Sequence, residues 1–260
     1  MFSAQQRCVY QNNQLAQVIC QLRFPEILTI STTLPAQFQE AIRGDFPRYQ
    51  AVQEKPAPKV IGAPGGYQVE NQPGTINYSF ASEDGVWRVN LTSKFISLST
   101  SKYTTWEEFA SKLDKPLATF ISVYKPAYFE RVGLRYINIF SRKELDLEVP
   151  FRELFHSRYL GILSDEEVQE TGTSRCSVDA EFNIRGGCRV KLHAGPGLVK
   201  KGNVSDGELK FIFDQDLYMP GNIQVNLSAG ALQTLHGQAF AIFRGAITDK
   251  LHEAMEPESI

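Results

Sequence analysis

Phe129-Glu130-Arg131-Val132-Gly133-Leu134-Arg135-Tyr136-Ile137-Asn138-Ile139-Phe140 is the stretch on which the reading of this chain turns. Successive side chains of a strand point to opposite faces, so Val132, Leu134, Tyr136 and Phe140 share one face and Arg131, Gly133 and Arg135 the other. The first face is predicted to lie against helices. The same signature stands near the start, where Val18, Cys20, Leu22 and Phe24 alternate with Gln17, Ile19, Gln21 and Arg23. Leu22-Arg23-Phe24 answers Leu134-Arg135-Tyr136.

The segments after these two strands match as well. Leu34-Pro35 and Val149-Pro150 each lead toward a short helix, at similar distances from their strands. Hairpins come next. In the first half Ile76, Tyr78 and Phe80 turn at Asp84-Gly85 into Trp87, Val89 and Leu91, and Phe95 to Thr100 adds a strand. In the second, Cys176, Val178, Ala180 and Phe182 turn at Gly186-Gly187 into Cys188, Val190 and Leu192. Strands at Leu209–Phe213 and Ile223–Leu227 come after them. Each half ends on an amphipathic helix. One opens at Thr105 and Glu108, which have capping-box spacing, and carries Trp106, Phe109, Leu113, Leu117 and Phe120, with a kink predicted at Pro116. The other runs from Leu232 through Phe243 to Leu251.

The expected fold is therefore α+β and internally duplicated, with halves at residues 1–126 and 127–260 forming one pseudo-twofold domain. Its antiparallel sheet is expected to curl around the closing helices, in a TATA-binding-protein-like or helix-grip-like arrangement. That comparison is architectural and carries no function. The loop from Pro56 to Pro64 is the expected mobile segment.

Composition narrows the function classes. With 260 residues, 42% hydrophobic and 22% charged, the chain can bury a core without disulfides or a structural metal. A formal net charge of −2 provides no field for bulk nucleic acid or an anionic membrane. Cys8, Cys20, Cys176 and Cys188 read as small apolar residues suited to a reducing compartment. Met1 to Asn13 is polar, and no run is apolar enough to span a bilayer, so a cytoplasmic location is expected.

Three stretches resemble an uncharacterised protein family sporadically distributed in bacteria: Val18 to Phe24, Arg131 to Asn138, and Leu235-His236 with Phe243, Ile247, Thr248 and Asp249. The family has no established activity. Its distribution resembles that of accessory genes, including defence and toxin-neutralising ones. Gln17 stands where the family usually has an acid.

The candidate binding residues are Arg23, Arg131, Arg135 and His236. If the two first strands are neighbours, Arg23 and Arg135 converge and can grip a carboxylate or phosphate. Alternatively each arginine pairs within the fold, with Glu130, Glu181 or Asp179 as partners. His236 lies beside the apolar stripe of the last helix, either as a base or as a core-edge histidine bonded to backbone. His193 ends a strand, and His156 and His252 read as exposed helix residues. Asp214 and Asp216 share a strand face and could offer a cation two carboxylates, but no third ligand stands near. The Gly62–Gly66 and Gly195–Gly202 loops fit no phosphate-binding motif, and no catalytic residue, metal or cofactor is assigned.

Three functions remain open. The first is a non-catalytic accessory protein, a neutralising or sensor subunit that binds a protein partner. The second is a module for a small anion or nucleotide on the arginine face. The third is an enzyme of unrecognised type. Oligomeric state stays open.

Overall fold

A computed structural model describes residues 2–54, 59–63, 66–70, 74–201 and 204–259, with backbone alone for 59–63, 66–70 and Lys201. The chain opens with β1 (Cys8–Tyr10) and β2 (Leu15–Arg23), then α1 (Leu28–Thr32), α2 (Ala36–Ile42) and β3 (Arg48–Glu54). β4 (Lys59–Ala63) and β5 (Gly66–Glu70) make a separate hairpin. β6 (Thr75–Ala81), β7 (Trp87–Leu91), β8 (Phe95–Thr100) and α3 (Trp106–Tyr124) complete the first part. The second part runs β9 (Phe129–Phe140), short 3-10 turns, β10 (Val178–Asn183), β11 (Arg189–Lys201) and β12 (Val204–Ile223). It closes with α4 (Ser228–Arg244), α5 (Asp249–Ala254) and β13 (Pro257–Ser259).

The fold is α+β. Nine strands form one antiparallel sheet in the order β10-β11-β12-β9-β2-β8-β7-β6-β3, and β13 pairs with β1. The strand that opens each part thus lies at the centre, with β2 against β9. The register there has its own symmetry. A twofold that lays Arg23 on Arg135 also lays Ile19 on Arg131. The sheet pairs Arg23 with Arg131 and Ile19 with Arg135, so each pair maps onto the other about Gln21 and Gly133. Beyond this centre the parts differ, with β8, β7, β6 and β3 on one side and β12, β11 and β10 on the other.

One sheet face is apolar, as the alternation requires. Val18, Cys20 and Leu22 of β2 and Val132 and Leu134 of β9 are fully buried. The two long helices pack on this face. Phe120 of α3 lies 4.6 Å from Phe24, and Phe243 of α4 lies 6.3 Å from Phe213. Among the described residues, no helix is long and apolar enough to cross a membrane.

Several local expectations hold in detail. The Glu108 amide donates to Thr105 Oγ1 at 3.2 Å and opens α3, while the Glu108 carboxylate turns to Thr104 instead of completing the reciprocal box. Gly85, Gly186 and Gly187 have φ of 75°, 73° and 72°, the left-handed geometry that glycine permits at these turns. α3 continues through Pro116 to Tyr124.

Other expectations are corrected. Residues 59–63, read as part of a mobile loop, are a strand paired with β5, while 55–58 and 64–65 lie outside the described residues. Gly195 and Gly197 belong to β11, and Gly202 lies outside the described residues. The short strand expected at Leu209–Phe213 is part of a strand of 20 residues that ends at Ile223, and the strand expected at Ile223–Leu227 gives way to a 3-10 turn over Val225–Leu227. The short helix expected after Pro150 is a 3-10 turn over Phe151–Glu153. The closing helix does not run on to Leu251. It stops at Gly245 and restarts at Thr248, whose Oγ1 accepts from the Leu251 amide. The reason is tertiary: Ala246 O accepts from the His156 amide and the Thr248 amide donates to Leu154 O, each at 2.9 Å. Backbone groups that a helix would satisfy internally are engaged by another segment.

Candidate functional site

The uncovered face of the sheet carries the arginines, and it does not gather them. Arg23 is exposed, faces Arg131 across the strands, and donates through Nε to Gln21 Oε1 at 3.1 Å. Arg131 instead folds over Gly133, where any Cβ would collide with its guanidinium, and donates to Asp216 at 2.6 Å. Its guanidinium carbon sits 4.5 Å from the centre of the Tyr218 ring. Arg135 meets Asp214 with two hydrogen bonds, its Nε donating at 2.8 Å. That hydrogen bond raises the Arg135 pKa. Convergence of Arg23 with Arg135 is thus corrected, because Arg135 lies opposite Ile19.

The internal partners also differ from those expected. They are Asp214 and Asp216 of β12, the two carboxylates for which no third cation ligand stands near in the sequence. Asp179 lies 2.7 Å from His193 Nδ1 rather than on an arginine, and Glu181 takes the Tyr218 hydroxyl. The arginine and the aspartate surfaces cancel each other. Arg135→Met is accordingly expected to lower stability by about 1 kcal/mol, since the pair is partly solvent-screened. Urea unfolding of both single variants and the double variant with Asp214→Asn measures the coupling. Unchanged stability, with a phosphate-dependent rise in melting temperature, would instead assign this face to an anion.

The apolar face holds a different kind of place. Along β9 the buried series Val132, Leu134, Tyr136 continues to Asn138, and along β12 the series Phe211, Phe213 continues to Gln215 before Leu217. Tyr136 pairs with Gln215 and Asn138 with Phe213, so three polar side chains stand together where apolar ones would pack. β2 begins beside them with a register shift between Leu15 and Gln17. α4 crosses above and brings His236 and Ala239, and the start of α3 brings Trp106. The arm before β2 runs along the remaining side. It is fastened by the Ser3 amide on Ala241 O at 2.9 Å and by the pairing of β1 with β13.

These elements line a half-open cavity of about 90 Å³. One ordered water needs roughly 10–15 Å³, so a small organic group fits. His236, 7% exposed, stacks on Trp106 with ring centres 4.6 Å apart and planes 7° from parallel. Its Nδ1 lies 2.8 Å from the Tyr136 hydroxyl, which replaces the backbone partner expected for it. His252, read as exposed, is half-buried with Nδ1 2.9 Å from Tyr10 Oη beside the same arm.

Burial, with Arg7 adding to it, lowers the His236 pKa to about 4, so the ring is neutral at pH 7. Burial likewise raises Tyr136 and Tyr103 well above the usual phenol range. At the rim Arg7 and Glu107 pair at 3.3 Å. Two lining residues each carry a buried side-chain atom with no partner among the described residues: His236 Nε2 and Gln215 Oε1. Gln215 is 2% exposed, and its amide nitrogen already donates to Ala239 O at 3.2 Å. Leaving such an atom unsatisfied costs about 1–3 kcal/mol.

Of the sequence candidates, only His236 lies here. Trp106, Tyr136, Asn138 and Gln215 were legible in principle, because a polar residue that interrupts a core-facing alternation is more informative than an apolar one that continues it. No protein family's sequence model matches the chain, and no curated protein matches it.

Proposed function

We propose that this chain is a non-catalytic binding protein whose site is the cavity between the sheet, α3, α4 and the N-terminal arm. The observation that carries this reading is the cavity itself, about 90 Å³ and lined by Tyr103, Trp106, Tyr136, Phe240 and Phe243 together with Asn138, Gln215 and His236. Ligand sites are concave and mostly apolar, with a few polar groups set among aromatic walls. A catalytic reading is weaker on the same geometry. A histidine held at a pKa of about 4 is a poor base at neutral pH, and the phenol it touches titrates far above that range. In this role the chain is a sensor, and its protein partner reads whether the cavity is filled. Free cysteines at positions 8, 20, 176 and 188 suit a cytoplasmic setting.

Extraction of the protein purified from the cells that naturally make it tests the proposal. The parent is expected to release a small molecule that Ala239→Leu, which fills the cavity from α4, does not. The variant's melting temperature checks that it is folded. Equal amounts from both proteins, or nothing from either, would count against the cavity.

A further inference from the structure

We infer that the chain pairs with a second copy of itself through the free edge of β3, the two nine-stranded sheets joining into one across a twofold axis at Ala51. The cavity plays no part in this contact.

β3 ends the sheet. It pairs with β6 on one side, and among the described residues no strand lies on the other, since β4 and β5 pair with each other. All seven residues of β3 are exposed, Tyr49 to 47% and Val52 to 42%. Such an edge presents a row of unpaired N–H and C=O groups, and proteins that must stay apart blunt it with Pro, Lys, an inward charge or a bulge. Arg48-Tyr49-Gln50-Ala51-Val52-Gln53-Glu54 has no Pro or Lys, keeps its two charges at the ends, and pairs with β6 without a register shift.

The order of these residues selects the occupant. Alternate residues of a strand turn both backbone groups to the same edge, so facing residues of an antiparallel pair must match in this respect. Two identical strands related by a twofold axis are therefore centred on a residue, never between two. Centring on Ala51 is the one choice that pairs all seven residues. Arg48 then faces Glu54 of the second copy, and Glu54 faces the second copy's Arg48. Opposite charges directly across a sheet attract, and like charges repel. Pairing adds about six to eight backbone hydrogen bonds, set by which alternate residues turn outward. It also covers part of Tyr49, whose ring centre lies 5.5 Å from that of buried Phe80.

The opposite edge of the sheet lacks this fit. In β10, centring on Ala180 sets Asp179 against Glu181 of the copy twice over, and centring on Glu181 sets that carboxylate against itself. A twofold contact at β3 occupies the same edge on both copies, so assembly stops at the dimer.

Sedimentation velocity from about 1 μM to about 1 mM covers the affinities open to so small an interface. The parent is expected to pass from monomer to dimer within that range, with no larger species. Arg48→Glu alone and Glu54→Arg alone each set like charges face to face twice, and each is expected to weaken the dimer about tenfold or more. Both positions are exposed, and melting temperatures near that of the parent check that the variants are folded. Mixing the two variants restores opposite charges at both places and is expected to return a dimer of the parent's strength. A parent that stays monomeric, assembles beyond a dimer, or dimerises equally well with either substitution overturns the pairing. So does a mixture of the two variants that stays monomeric.

Discussion

Phe155→Ala is expected to lower the unfolding free energy by about 4 kcal/mol, within the range for truncating a buried phenylalanine. The ring is 1% exposed and stacks on Phe211 of β12 at 4.0 Å between centres. It meets Phe140 of β9 edge-on at 5.1 Å and Phe151 at 6.4 Å. These rings come from two central strands and one loop, and no single neighbour can move in to fill the space. The residue also sits in the segment whose backbone bridges to Ile247 between α4 and α5. Loss of the ring therefore loosens the joint that turns the closing helix, as well as leaving a hole. Urea unfolding measures the effect from the midpoint and slope. A loss under about 1 kcal/mol would mean that the loop carrying Phe155 packs less firmly than its burial implies.

The second large effect is a dependence of stability on pH that belongs to His236. Its pKa in the folded chain is about 4, against an ordinary value of 6.5. Between those values the unfolded chain binds the proton and the folded chain does not, so acid favours unfolding. Stability from this group is full above about pH 6.5, falls as the pH drops toward 4, and changes no further below that. The whole span amounts to about 3 kcal/mol, at about 1.4 kcal/mol per pKa unit. Facing the ring are Tyr136 from β9, Trp106 of α3 and, through charge, Arg7 of the arm and Glu107 of α3. Arg7 reinforces the shift and Glu107 opposes it. His156 and His252 are also lowered by burial and contribute in the same direction, so the parent must be compared with His236→Gln. Unfolding curves from pH 7.5 to 4.5 should converge for the two proteins as acid is added. Parallel curves would show that the ring is hydrated in the folded chain.

The regular elements were legible because their causes are local. Alternation in Val18 to Phe24 and in Phe129 to Phe140 marks strands whichever partner they find. Thr105 caps α3 through an amide three residues away. Gly85, Gly186 and Gly187 supply the turn geometry that their neighbours could adopt only with strain. Even the shared Leu-Arg-aromatic signature carried forward into the sheet, whose register is symmetric about Gln21 and Gly133.

Breaks in those patterns were harder to read. Asn138 and Gln215 look like ordinary polar residues until the strands are paired, and then they stand as diagonal neighbours on the core face. The extent of β12 was not legible either, because Pro220 and Gly221 sit within it where the pairing with β9 shifts register before resuming at Ile223. The end of α4 depended on amides and carbonyls from residues 154–156, far away in the chain.

By itself, then, the sequence determined the α+β class, most of the strands and both long helices, since these follow from periodicity and capping within a few residues. The tertiary structure alone decided which polar groups meet. Arg135 lies 79 residues from Asp214, Arg131 lies 85 from Asp216, and Tyr136 lies 100 from His236. Such pairs are set by strand register and by where a helix crosses the sheet. A shift of one residue in the pairing of β9 with β12 would have parted both arginines from their aspartates, because it turns one strand's side chains to the opposite face.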